Sequence, residues 1–276
     1  MPLVSVIIPT HNRSGLCIKA VTSVLTQTWK DVEVLLVDDG SDDDTLMRAA
    51  RIADPRLRVF SQENKGVSAA RNLGAAHACG RYIALLDSDD YWLPTKLERQ
   101  LRFMREGGFH ISQTEEIWIR RGKRVNPKHI HTKVAGWMFA PSLALCLISP
   151  SCVMLTRALW DEVGPFDEAL PACEDYDLWL KTCLRVPVGL VPEALVVKTG
   201  GRADQLSGKI IGLDLYRIYA MRNVLDQGVL NDEDKDELVR MLRMKAMIYI
   251  KGCLKRGRFA EAQRLRQLLG PRLAAG

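Results

Sequence analysis

The 276-residue sequence has no Cys-x-x-Cys pair, although it carries seven cysteines. The odd number of scattered thiols argues against a disulfide framework and against structural zinc. They read as small buried thiols of a reducing compartment. No apolar run reaches the roughly 18 residues that a membrane span needs. The longest weakly polar stretch, Trp137 to Pro150, is broken by Pro141 and two serines. Met-Pro-Leu-Val-Ser-Val leads straight into a strand-like run, so no cleavable export signal is expected. The chain lacks both Gly-x-x-x-x-Gly-Lys-Ser/Thr and a Gly-x-Gly-x-x-Gly after its first strand, which disfavours a P-loop or a standard dinucleotide site. His129-x-His131 has no third ligand at a suitable spacing for a metal.

What is present is ordinary for a folded protein. Apolar residues make up 47% and charged residues 26%, which excludes a disordered or collagen-like chain. The length suits one large α/β domain or two smaller ones. The net charge of +6 is unevenly placed: residues 240–276 carry ten Lys/Arg and one acid, leaving −3 for everything before them. A basic tail of this kind is either a solvated helix face or a contact for an anionic surface.

The first ninety residues alternate strand and helix patterns. Val4–Pro9, Val32–Val37, Leu57–Phe60 and Tyr82–Leu86 read as strands. Helices are expected after Ser14, over Thr45–Ala53 and over Gly66–Ala78, with another starting at Pro94 and running to about Arg105. Such alternation implies a parallel sheet with helices on both faces, which binds ligands beyond the carboxyl ends of its strands. Those ends read Pro9-Thr-His-Asn12, Asp38-Asp-Gly-Ser41 and Asp87-Ser-Asp-Asp90. After Gly108 the pattern changes. A hairpin is expected across Arg121-Gly122-Lys123, a strand over Cys146–Leu155 broken at Pro150, and helices over Ala158–Val163 and Glu174–Leu184. One or two short strands should lie around Pro192. From Gln205 onward the chain reads helical, with breaks near Gly228 and Gly257.

Two acids two apart on an extended exit point the same way. Asp87 and Asp89 would therefore suit a hard divalent cation, which is commonly held by one or two carboxylates plus substrate phosphates. They equally suit an acidic turn in which Asp90 caps the next helix. Asp38 and Asp39 could accept hydrogen bonds from a base or ribose, or form a turn. Glu174 and Asp175 open a helix; an acid there is a first-turn residue, or a general base beside a reacting hydroxyl. Asp177, turned away from Leu178 and Leu180, reads as the ordinary first-turn acid. Lys65 and Arg71, beside or within the alanine-rich helix, could meet a phosphate or solvent.

Five segments together resemble the family 2 glycosyltransferases of GT-A fold: Val4-Ser-Val-Ile-Ile-Pro-Thr-His-Asn-Arg13, Val37-Asp-Asp-Gly-Ser41, Asn64-Lys-Gly-Val-Ser-Ala-Ala-Arg-Asn72, Leu86-Asp-Ser-Asp-Asp-Tyr-Trp-Leu-Pro94 and Cys173-Glu-Asp-Tyr-Asp-Leu-Trp-Leu180. The resemblance covers residues 1–200 and implies an α/β fold with a mixed sheet flanked by helices. It places Pro9, Thr10, His11, Asn12, Asp38, Asp39, Lys65, Arg71 and Ser88 around a nucleotide, with Asp39 on the base, a uracil. It makes Asp87 and Asp89 the Asp-x-Asp site for manganese or magnesium, and Asp175, with Glu174 beside it, the base that deprotonates an acceptor hydroxyl. One departure stands out. Related sequences often carry His in a Gly-Gly-His segment, where this chain has Gly200-Gly201-Arg202. A guanidinium cannot ligate a cation but can pair with a diphosphate.

The expected organisation is a GT-A domain over residues 1–202, with a nucleotide-binding half (1–107) and an acceptor and catalytic half (108–202). A basic helical extension over 203–276 follows, packed on that domain or on a second copy in a homo-oligomer. The expected activity is inverting transfer of a sugar from a nucleotide-diphosphate sugar, UDP-linked, to a glycan or glycolipid acceptor in polysaccharide assembly. A nucleotide-sugar binding module without turnover is the alternative. A nucleotidyltransferase would want a glycine-rich basic loop after the first strand, which Thr10–Gly15 lacks. The expected location is cytoplasmic, with the tail touching the inner face of a membrane, and no nucleic-acid partner. Ser112–Arg120, with Glu115, Glu116 and Trp118, is a candidate acceptor wall.

Overall fold

The computed structural model describes residues 1–126, 128–202 and 212–274. The expected start of the helical tail at Gln205 and the junction at 203 lie outside the described residues. Four parallel strands build the first half: Val4–Thr10 (β1), Val32–Asp39 (β2), Leu57–Gln62 (β3) and Tyr82–Leu85 (β4), side by side as β3-β2-β1-β4. Every residue of β1, β2 and β4 is buried, which is why their sequences are near-continuous apolar runs. Side chains alternate between the two faces. Val6, Ile8, Val34 and Leu36 pack with Cys17, Val21 and Val24 of Ser14–Leu25 (α1). Ile7, Leu35, Ile83 and Leu85 face a second core. Thr45–Ala49 (α2) and Val67–His77 (α3) complete the crossovers. Helix α3 lies so near the sheet that a Cβ on Gly74 would fall 2.5 Å from Ile7 Cγ2, so only glycine fits that crossing.

The sheet then reverses. Met154–Thr156 (β8) runs antiparallel to β4, and Ile111–Arg120 (β6) antiparallel to β8. Gly189–Gly200 (β9) lies parallel to β6, and Tyr91–Trp92 (β5) pairs with β9 at the edge. The parallel sheet read from strand and helix alternation thus ends at β4, and the whole is mixed. Lys123–Val125 (β7) returns on β6 across Arg121 and Gly122, whose positive φ angles of 49° and 74° suit a two-residue hairpin turn. Around Pro192 there is one strand, not two. Thr114 pairs with Val191 and Glu115 with Ala194, so a bulge skips Pro192, which has no N–H to give.

Two further expectations need correction. Lys96–Gly107 (α4) starts beyond Pro94, whose carbonyl instead accepts the Thr28 N–H at 2.9 Å. Cys146–Leu155 is not a broken strand. Pro150–Cys152 forms a 3-10 turn whose polar groups serve the exit of β4, and pairing resumes only at Met154.

Phe139–Ala144 (α5), Arg157–Val163 (α6) and Glu174–Cys183 (α7) cover the second half. The tail forms Leu213–Asp226 (α8), Asp232–Lys255 (α9) and Phe259–Ala274 (α10), the last kinked at Gly270. Asn231 caps α9 by accepting the Asp234 N–H at 2.8 Å. Ile218, Met221, Val224, Leu238 and Leu242 share one core with Phe166 and Trp179 of the sheet domain. Among the described residues, no helix is long and apolar enough to cross a membrane.

Candidate active site

The acidic strand exits meet at one edge of the sheet. At the end of β2, Asp38 and Asp39 turn to opposite faces. Asp39 Oδ1 accepts from Gln62 Nε2 at 2.7 Å and the Lys65 N–H at 2.9 Å, and Oδ2 accepts the Gly66 N–H at 2.9 Å. The carboxylate expected on a base is therefore committed to shaping residues 62–66. Lys65 gives its backbone to that loop and keeps its side chain exposed. The acceptor left without a partner is Asp38 Oδ1, beside the equally orphaned Thr10 Oγ1 on the paired strand. An unpaired buried polar atom costs about 1–3 kcal/mol. Pro9, inside β1, is buried and offers no side-chain hydrogen bond.

The loop after β1 is stitched to the loop after β2. Asn12, at φ 51°, gives its N–H to Ser41 Oγ at 2.8 Å and accepts the Asp42 N–H on Oδ1 at 2.9 Å. His11 Nδ1 lies 2.9 Å from the Asp39 carbonyl, a contact that calls for the Nδ1–H tautomer. The ring is held yet exposed, as a stacking platform would be.

The exit of β4 is tied to three distant segments. The Asp87 N–H donates to Ser151 Oγ at 3.1 Å, and Ser151 Oγ donates to Asp90 Oδ2 at 2.6 Å. Asp90 Oδ1 accepts the Thr199 N–H at 2.9 Å, which clasps β9 to this loop. Burial is the main force pushing Asp90 up to about 7; Lys198 opposes it and Asp87 adds to it. Ser88 is buried between the two outer acids.

Arg71, expected near the base or phosphates, lies against two of the acids. It is 3% exposed and spans two carboxylates, with Nη2 2.8 Å from Asp87 Oδ1 and Nη1 2.6 Å from Glu174 Oε1. Its guanidinium rests on the Phe166 ring, 5.0 Å from the centroid. Burial pulls its pKa down, but Asp87 and Glu174 more than offset this and hold it above the ordinary arginine value. One side chain from α3 thus joins the exit of β4 to the start of α7, 103 residues apart from α3 in sequence.

Glu174 is buried, and burial followed by Asp175 raises its pKa while Arg71 opposes the rise. Asp175 is the more accessible of the two. Its Oδ1 accepts the Tyr176 N–H at 2.7 Å and its Oδ2 receives the Cys146 thiol at 3.6 Å. Asp177 is not a surface residue: it is fully buried against Lys181 Nζ at 2.5 Å.

Asp89 Oδ2 pairs with Arg13 Nη1 at 3.1 Å. Burial, then Asp87, raises its pKa. Arg71 meets Oδ1 of Asp87 and Arg13 meets Oδ2 of Asp89, which leaves one oxygen of each carboxylate outside these two ion pairs. A hard divalent ion fits two such oxygens if phosphates and water complete its shell. No set of three or more metal-capable side chains occurs among the described residues. Arg202 is exposed, three residues beyond the Thr199 that contacts Asp90.

A buried charge cluster lies behind this edge that sequence reasoning missed. Glu116, expected on an acceptor wall, points inward and pairs with Lys133 Nζ at 3.1 Å. Against the cost of burial, Lys133 and Lys198 draw its carboxyl down to about 2. Lys96 lies fully buried beneath Trp92, 3.7 Å from the ring, and its ammonium has no hydrogen-bond partner. Alternation along β6 and β9 could have placed Glu116 and Lys198 inward, but their charge argued for solvent.

A parallel half with acidic exits, continued by a reversed half that brings up a second acidic helix start, defines the GT-A fold. Solved structures agree: S. aureus TarS 1–349 in complex with UDP-GlcNAc superposes with a TM-score of 0.73 at 22% identity, over 88% of this chain and 71% of that one. The profile of glycosyl transferase family 2 matches residues 5–161, and the chain belongs to that family. It is 40% identical over 194 residues to an uncharacterized glycosyltransferase of Rickettsia felis, covering 70% of this chain and 32% of the relative. It is 35% identical over 186 residues to WfgD of Escherichia coli, a UDP-Glc:alpha-D-GlcNAc-diphosphoundecaprenol beta-1,3-glucosyltransferase, covering 64% of this chain and 68% of that protein. The chain spans about a third of the length of the rickettsial relatives it matches first.

Proposed function

We propose that the chain moves a sugar from a UDP-linked donor to the hydroxyl of a lipid-linked or glycan acceptor, with inversion at the anomeric carbon. The observation that carries this reading is the Asp87–Arg71–Glu174 bridge, which ties the exit of β4 to Glu174, the neighbour of Asp175. The relatives support it: WfgD is named for a UDP-glucose donor and a diphosphoundecaprenol-linked acceptor.

In this reading His11 stacks on the base, and Thr10 and Asp38 supply the polar atoms at the strand edge. Asp87 and Asp89 would hold Mn2+ or Mg2+, which when bound supplies Lewis-acid stabilisation of the diphosphate. Asp175 accepts the acceptor's proton as the acceptor oxygen attacks the anomeric carbon. The bond from that carbon to the phosphate oxygen breaks, and its electron pair leaves with the nucleoside diphosphate. Arg71 orients Asp87 and Glu174, and Arg202 faces the diphosphate as a fixed charge. We place the protein on the cytoplasmic side, with its basic tail against the membrane.

The test is a thermal-shift screen of UDP-sugars with and without manganese, followed by a sugar-release assay on the best ligand. Asp175→Asn is expected to keep UDP affinity and lose turnover by about 10²–10⁴-fold. Unchanged turnover would remove Asp175 from the chemistry. UDP-sugar binding without release by the parent chain would favour a binding module.

A further inference from the structure

Between the start of α8 and the end of α9 lies an open cavity of about 580 Å³ that the proposed sugar transfer does not use. Its lining includes Arg217, Arg256, Arg258, Tyr249 and Ile248. Arg217 pairs with Asp214 at 2.9 Å and Arg258 with Glu261 at 3.1 Å, yet the Nε of each is buried with no hydrogen-bond partner. Arg256 folds back over bare Gly252, where a Cβ would stand 2.7 Å from its Nη2. These three guanidinium groups leave donors to spare, the chemistry of an oxyanion site.

The cavity adjoins the candidate base. The Leu213 carbonyl accepts the Cys173 thiol at 3.6 Å, and Cys173 immediately precedes Glu174 and Asp175. Arg217 is close enough to act electrostatically on both Cys173 and Tyr176, which flank those acids. Of the exposed apolar side chains on α9, Ile248 lines the cavity and is 60% exposed, and Met247 and Met244, 47% and 39% exposed, precede it by one and four residues on the same helix. An exposed apolar stripe beside a guanidinium pocket matches an anionic head on a hydrocarbon chain.

From this we infer that the α8–α9 cavity binds the phosphate groups of a lipid-linked acceptor, with the lipid along Ile248, Met247 and Met244 and the acceptor sugar toward Asp175. The inference rests on the proposed transfer for its purpose, but its binding test does not depend on turnover.

The full chain is titrated calorimetrically with farnesyl diphosphate, with saturating UDP present to occupy the donor site. Farnesol and inorganic diphosphate serve as half-ligands. Farnesyl diphosphate is expected to bind more tightly than either. Arg256→Ser is expected to weaken it about tenfold or more, the loss of a charge-assisted contact, and Ile248→Ser to weaken it as well. Both substitutions lie at exposed positions, and both should leave UDP affinity unchanged. Equal affinity for inorganic diphosphate would overturn the lipid rim, and insensitivity to Arg256→Ser would overturn the pocket. Competition by phosphatidylglycerol vesicles as strong as by farnesyl diphosphate itself would show a bulk headgroup site and overturn the acceptor assignment. A chain that binds farnesyl diphosphate but not UDP would sink the proposed transfer while leaving this site standing.

Discussion

Arg71→Met is the most direct perturbation of the site. Arg71 and Glu174 have side chains only 4% and 6% exposed, whereas that of Asp87 is 28% exposed and can turn to water. Removing one partner of a buried pair costs about 3–5 kcal/mol, because the other charge stays buried. Most of that cost falls on Glu174. At about 2–4 °C per kcal/mol for a chain of this size, the melting temperature is expected to fall by about 10 °C. Glu174→Gln alone leaves Arg71 with Asp87 and should cost less. The double variant strands no fully buried charge, so it should be more stable than the two single effects predict by about 1–3 kcal/mol. Urea unfolding followed by the fluorescence of core residues Trp160 and Trp179 measures all four corners of the cycle. Additive losses would refute the bridge, because they would mean that Arg71 and Glu174 do not act on each other.

Two other substitutions test separate parts of the structure. Asp89→Asn, which leaves Asp87 as the one carboxylate of the pair, is expected to remove a manganese-dependent thermal shift with UDP while keeping the metal-free shift; an unaltered manganese response would take Asp89 out of the ion's shell. Burial brings the Lys96 ammonium from the ordinary 10.5 down to about 7, so the unfolded chain binds more protons between those values and stability rises with pH across that window. Lys96→Met is therefore expected to stabilise the fold by up to about 5 kcal/mol near pH 7 and by about 1 kcal/mol at pH 9.5; a gap in urea titrations that does not narrow would refute it.

Most of the first half was legible because both faces of its strands are buried. A buried parallel strand needs an apolar run, and the first polar residue after it marks the ligand edge, as Asp38 after Val37 and Asp87 after Leu86 do. The second half was harder, since its strands carry charge inward. Glu116 and Lys198 look like solvent-facing residues until Lys133 and Asp90 are seen beside them. Cys146–Leu155 misled for a different reason: its apolar composition reflects burial, but its backbone is spent on a 3-10 turn and on the Trp92 indole, which donates to the Ser151 carbonyl at 2.7 Å. Periodicity shows which face a residue takes, and only long-range partners show why a charge can take the inner one.

The same partners explain how acids from remote parts of the chain can share an edge. Asp87, Asp89 and Glu174 would repel one another if left to themselves, and burial makes that repulsion stronger. Each is met by a cation from another segment: Arg13 after β1 for Asp89, and Arg71 on α3 for Asp87 and Glu174. Each cation in turn meets one oxygen of Asp87 or Asp89 and leaves the other outside the ion pair, so neutralisation does not exhaust the acids' capacity to bind. Asp90 adds a clasp through Ser151 and the Thr199 N–H, fixing the backbone that carries both acids. A site held this way needs no rigid cross-link, because displacing any one carboxylate strands the charge of its partner. That coupling also ties the donor-side loop to α7: a shift of Asp87 pulls on Arg71, and Arg71 on Glu174, immediately before Asp175.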